Sequence, residues 1–155
     1  MSSNSVQNTH IEDRLRQLHG AMLDILSVMN QPQRDEALIQ AAGIKLDRAL
    51  FPLLVGVGRL GPIGVVDLAD RVGRDYTTVS RQISKLETLG LVHRQESQAD
   101  RRVREAIVTP EGQAMLGALD AARARIGGVI FETWPEQDLD DLVRLLRKFA
   151  DSIAG

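Results

Sequence analysis

Two apolar-faced helical segments joined by a tight Gly-Arg-Asp turn constrain this chain more than anything else in it. Val65, Val66, Leu68, Ala69 and Val72 mark the first segment, and Gly73 supplies a left-handed stop. Asp75 is the N-cap of a second helix over residues 76–89, which Gly90 ends. A shorter helix, a tight turn and a longer helix is helix-turn-helix spacing. Two strand-like runs follow, residues 91–96 and 103–109, joined by a polar, basic link over 97–102. A hairpin with a long charged tip therefore stands directly behind the second helix.

On a helix with 100° per residue, Val79, Ile83 and Leu86 share one face of the 76–89 segment. Thr77, Arg81, Ser84 and Thr88 point the opposite way, with Thr78 and Lys85 on one flank and Ser80 on the other. Solvated helix faces ordinarily mix Glu with Lys at i,i+4 spacing, but Glu87 is the only acid here and lies at the flank. Hydroxyls and amides near a helix N-terminus suit phosphate oxygens, and an arginine one turn in can reach O6 and N7 of a guanine. The hairpin tip carries Asp100, Arg101, Arg102 and Arg104. Arginines so placed can enter a narrow minor groove, where negative potential concentrates. The expectation is a winged helix-turn-helix over residues 62–109 that reads duplex DNA through residues 76–89.

Charge distribution agrees with this. The chain of 155 residues has a net charge of −2, but residues 71–104 hold eight Arg and Lys against four acids. That stretch carries +4 and the remainder −6, the asymmetry of a specific DNA binder. No cysteine is present, which excludes disulfides, thiolate zinc sites and a thiol switch. His10, His19 and His93 are scattered without an i,i+4 ligand partner, so no metal site is expected. Asp138, Asp140 and Asp141 fall in the first turn of a helix, where they favour the helix dipole rather than acid–base chemistry. There is no phosphate-cradling glycine loop, nucleophile elbow or planar-cofactor stacking box, so neither an enzyme nor a cofactor is expected. No apolar run is long enough to span a membrane, and the start lacks a secretion signal. A cytoplasmic protein is the expectation.

The flanks read as helices. Residues 1–9 are polar at their start and read as a disordered tail. From residue 10 to 29, Ile11, Leu15, Leu18, Met22, Ile25 and Met29 recur at spacings of 4, 3, 4, 3 and 4. That stripe belongs to a core helix or to one buried against a second subunit. Pro32 marks its end. A short helix over 35–42 ends at Gly43, and a further one over 47–59 takes Asp47 as N-cap. Pro52 either kinks that helix or moves its start toward Leu50, since an interior proline costs about 3 kcal/mol. Thr109-Pro110-Glu111 opens a helix to about Phe131, and Pro135-Glu136 opens the last one. Gly127-Gly128 is a local weakness or a close helix crossing.

The run Pro62-Ile63-Gly64-Val65-Val66-Asp67-Leu68-Ala69-Asp70-Arg71-Val72-Gly73-Arg74-Asp75-Tyr76-Thr77-Thr78-Val79-Ser80-Arg81-Gln82-Ile83-Ser84-Lys85-Leu86-Glu87-Thr88-Leu89-Gly90-Leu91-Val92 resembles the helix-turn-helix of MarR-type bacterial transcription regulators. Asp100-Arg101-Arg102 is similar to the family's wing signature, and Val108-Thr109-Pro110-Glu111-Gly112 to the Leu-Thr-x-x-Gly that follows it. The resemblance implies a mainly α fold with a small β-wing. A winged lobe over 46–109 would be flanked by dimerisation helices over 10–34 and 110–155. It implies a homodimer that represses a nearby gene and is released by a small aromatic or phenolic effector. It places Tyr76, Thr77, Thr78, Ser80, Arg81, Ser84 and Lys85 in the recognition helix, with Arg101 at the wing tip and Arg102 and Arg104 beside it. The lack of cysteine departs from the family's peroxide-sensing branch. A winged-helix module for protein contacts is the competing reading, because a fold does not decide function. The outward polar face of residues 76–89 argues against it.

Overall fold

The computed structural model describes residues 2–155, with side chains from Val6 onward. The order of elements is α1 (Ser2–Met29), α2 (Pro32–Ala41), α3 (Phe51–Leu60), β1 (Ile63–Gly64), α4 (Val65–Val72), α5 (Tyr76–Thr88), β2 (Val92–Glu96), β3 (Arg104–Val108), α6 (Pro110–Phe131) and α7 (Glu136–Ala154). The strands form one antiparallel sheet in the order β1-β3-β2. Val92 pairs with Val108 and Glu96 with Arg104, which closes the expected hairpin. The fold is mainly α with a small β-wing.

Three helix starts and one strand differ from the sequence reading, each for an identifiable reason. α1 begins at Ser2, so the tail expected over residues 1–9 is helical in its described part; Met1 lies outside the described residues. No proline interrupts residues 2–29, and a helix once nucleated extends at one hydrogen bond per residue. Pro32 opens α2 three residues before the expected start, because proline suits the first helical turn. Asp47 caps a turn rather than a helix: its carboxylate accepts from the Ala49 amide at 2.8 Å. α3 starts at Phe51, with Pro52 in its first turn, so there is no kinked interior proline. The two-residue β1 has no sequence signature. It exists because Ile63 and Gly64 lie against Ala106 and Glu105 of β3.

Leu53, Leu54, Leu68, Val79, Ile83 and Leu86 are fully buried in one core that α3, α4 and α5 share with Val92 and Ala106 of the wing. Burying such side chains stabilises by about 2 kcal/mol each. A smaller cluster of Ile39, Phe51 and Leu119 ties α2 and α3 to α6. α7 has no buried residue. Among its described residues α1 has none either, and Ile11, Leu15 and Ile25 are more than half exposed. Around Gly127 and Gly128 nothing lies within 4 Å of a built Cβ, so they mark no helix crossing within the protomer.

The wing and α6 meet at a crowded junction. The Thr109 amide donates to the Leu91 carbonyl at 3.1 Å, and the Thr109 hydroxyl donates to the Gly90 carbonyl. The same hydroxyl caps α6 by accepting from the Gly112 amide at 3.1 Å. Gly112 then packs so close that a Cβ would run into the Leu91 carbonyl oxygen and the Val108 side chain. Gly112→Ala should destabilise the chain by about 2 kcal/mol in urea unfolding, because the obstacle is backbone. Gly117→Ala, also in α6 but with nothing within 4 Å, should be neutral or stabilising by up to about 1 kcal/mol. Equal effects of the two would refute the close-approach account.

Candidate nucleic-acid interface

The interface starts from the turn that aims α5. Gly73 adopts the left-handed conformation, φ 66°, and the Arg74 amide donates to the Ala69 carbonyl at 3.0 Å. The Arg74 guanidinium reaches in two directions, donating to the Ala49 carbonyl at 2.9 Å and to Gln82 Oε1 at 3.1 Å. One side chain thus ties this turn to the turn just before α3 and to the middle of α5. Asp75 caps α5 by accepting from the Thr78 amide at 3.1 Å. With Val79, Ile83 and Leu86 at 0% exposure, the rotation of α5 about its axis is set by the core.

Outward from that core stand Tyr76, Thr77, Arg81, Ser84 and Lys85, all exposed; Thr78 and Ser80 are half-buried. Among the described residues, the side chains of Arg81, Lys85, Arg101 and Arg104 have no ion-pair or hydrogen-bond partner. All four side chains are exposed, and Arg104 stands opposite Glu96 in the β2–β3 pair. The remaining sequence candidates are less free. The Thr78 hydroxyl donates to the Asp75 cap at 3.4 Å. The Ser84 hydroxyl donates to the Ser80 carbonyl at 3.0 Å and accepts from Arg94 Nη2 at 2.8 Å. Arg102 forks onto Asp100, with Nε at 3.1 Å from Oδ1 and Nη2 at 3.3 Å from Oδ2.

Helix and wing tip therefore divide into free cations and cations that shape the scaffold. Arg102 folds the tip by engaging Asp100, which leaves Arg101 next to it unengaged. Between α4, the first turn of α5 and the wing lies a groove of about 450 Å³. Tyr76, Arg102, Val103 and Arg104 line it, so the start of α5 and the tip end of the wing share one concavity. Arg94 also lines it and is the residue that sequence reasoning missed. Its place in a strand resembled any exposed wing charge. Only its partners across the fold, Ser80 and Ser84, mark it out. No group of three or more metal-ligating side chains occurs among the described residues. No helix among them is long and apolar enough to cross a membrane.

Comparisons with known proteins agree with this geometry. A family model described as HVO_A0114 matches residues 51–106, which run from α3 through most of the wing. The uncharacterized HTH-type transcriptional regulator YxaD of Bacillus subtilis is 29% identical over 103 residues, covering 66% of this chain and 72% of that one. A MarR family protein from Bacillus stearothermophilus superposes with a TM-score of 0.74 at 17% identity, covering 93% of this chain and 98% of that chain. Bordetella bronchiseptica BpsR, whose DNA binding is regulated by 6-hydroxynicotinic acid, superposes with a TM-score of 0.55 at 27% identity, covering 85% and 92%.

The class is that of winged helix-turn-helix proteins with long helices on either side of the winged lobe. Within it, the chain shares the fold of MarR family proteins.

The wing turn titrates in a defined direction. Arg102, through its side chain and then its backbone amide, holds the Asp100 carboxyl below the ordinary value of 3.8, against a small opposing effect of desolvation. The folded-state value is depressed, so the contribution to wing order is complete above the ordinary value. It is lost only as pH falls through the depressed one. An NMR titration should place the Asp100 midpoint below 3.8, with wing-tip shifts constant at neutral pH. A midpoint at or above that value would show that the fork does not persist in solution.

Proposed function

We propose that this protein is a homodimeric, sequence-specific DNA-binding repressor that acts in the cytoplasm on an inverted-repeat operator. The carrying observation is the outward face of α5: Thr77, Arg81 and Lys85 are exposed, and the two cations are unpaired on a helix whose rotation the core sets. Arg81 is the base-reading candidate, with Tyr76, Thr77, Thr78, Ser80, Ser84 and Lys85 around it. Arg101 is the minor-groove candidate, with Arg102 and Arg104 supporting it. In this reading the division of the chain is a DNA-contacting lobe over 46–109 and dimerisation helices over 10–34 and 110–155.

Dimerisation has its own support. Ile11, Leu15, Ile25, Ile130, Val143, Leu146 and Ile153 are between 47% and 65% exposed on α1, α6 and α7. An apolar surface of that extent on a protomer marks a protein interface. A single reading helix contacts too few base pairs to select one operator in a genome, so a two-fold pair is required. Light scattering should give a dimer mass, and Val143→Asp with Leu146→Asp should give a folded monomer with weakened operator binding. A monomeric wild-type chain would sink this part of the reading.

Operator binding should be nanomolar at low salt and fall steeply as salt rises, with half-sites about 34 Å apart, one helical turn. In gel shifts, Arg81→Ala should cost about 2 kcal/mol on the operator and relax preference at one base pair. Equal affinity for operator and scrambled DNA at physiological salt would favour the protein-contact module. A small aromatic or phenolic effector is the expected releasing ligand. BpsR, which responds to a heteroaromatic acid, supports that class.

A further inference from the structure

Arg94 and Glu87 join the wing to α5 at two separate points. The Arg94 guanidinium donates through Nη2 to the Ser80 carbonyl at 3.1 Å and to the Ser84 hydroxyl at 2.8 Å. Its Nε is buried and without a partner. The Arg94 backbone amide donates to the Glu87 carboxylate at 3.2 Å. Ser80 and Glu87 lie seven residues apart on α5, about 10 Å along its axis. A strand fixed to a helix at one point can pivot about it. Both bonds spring from Arg94, so this one strand residue is braced to two places on α5, and a swing of β2 about the first strains the second.

We propose that Arg94 and Glu87 are positioning residues that set the angle between α5 and the wing. They would thereby set the offset between the groove that the helix enters and the groove that the wing tip reaches. The proposal rests on the DNA-binding reading above, but neither side chain needs to touch DNA. The Arg94 guanidinium is engaged with α5, and the Glu87 carboxylate is anionic and would repel phosphate. Offset matters because a wing displaced by part of a base pair loses its minor-groove fit while the helix keeps its own contacts.

The two residues carry opposite charges, which separates positioning from electrostatics. Arg94→Met removes the donors and keeps a stem of similar length; Glu87→Ala removes the second anchor. If both acted on DNA through charge, R94M would weaken binding and lower the salt slope by about one, while E87A would tighten binding. Positioning requires both variants to weaken operator binding, by about tenfold, and to lower the salt slope by the same amount, because each displaces the same wing cations. Hydroxyl-radical footprints should lose the flanking minor-groove protection of the wing and retain the central protection of α5. Tighter binding by E87A, or a salt slope reduced in R94M but not in E87A, would overturn the proposal. Hydrogen exchange on the DNA-free protein supplies an arm independent of operator binding. Amides 97–104 should exchange faster in both variants while those of α3 and α6 keep their rates, which also shows that the variants fold. Unchanged exchange at the wing would overturn the clamp. Faster wing exchange beside a wild-type chain with no operator preference would support the clamp and count against the DNA reading alone.

Discussion

Burial of Val79, Ile83 and Leu86 against α3, α4 and the wing is the constraint from which the rest of the molecule follows. These three side chains lie on one face of a 13-residue helix and none is exposed. A helix held that way has a single rotational setting, so the opposite face is decided at the same time. What stands there is a set of hydroxyls with two unpaired cations. A half-turn of rotation would bury Arg81 and expose Ile83, at the cost of a desolvated guanidinium and a lost apolar contact. The core thus acts as the aiming device, and the outward polar face is its complement.

The scaffold spends several of its polar groups on geometry. Arg74 ties its turn to the turn before α3 and to α5, Asp75 caps α5, Asp100 holds Arg102, and Arg94 crosses from the wing to α5. Each of these bonds fixes an orientation between two elements whose backbones do not pair with one another, or shapes one turn. On α5 and the wing, Arg81, Lys85, Arg101 and Arg104 are left with no internal partner among the described residues. Basic residues in a winged lobe therefore sort by what they touch. Counting charges along the sequence cannot make that distinction.

The junction at Leu91, Thr109 and Gly112 extends this rigidity to α6. Thr109 bonds the chain leaving α5 and caps α6 with one hydroxyl, and Gly112 lets the helix come down onto the Leu91 carbonyl. A movement of α6 is thereby felt at the end of α5 and at the base of the wing. α1 and α7 have no such attachment. Their apolar faces find little to cover them within the protomer, the condition expected of surfaces completed by a second copy.

The helix-turn-helix was legible because its determinants are local. A capping Asp75, a left-handed Gly73 and apolar spacing at 79, 83 and 86 each act within a few residues of chain. The hairpin and the Thr109-Pro110 helix start were legible for the same reason. Long-range pairing was not. β1 is two residues that become a strand only because β3 lies beside them, and the start of α3 depended on where Pro52 could be placed. Within the site, the sequence determined which residue types α5 turns outward. Local bonds already engage Thr78 with Asp75 and Arg102 with Asp100, while the tertiary structure decided that Ser84 is diverted to Arg94. The physical reason is reach: a hydrogen bond needs its partner within about 3 Å, and only the folded backbone brings residues 80, 84 and 94 to that distance.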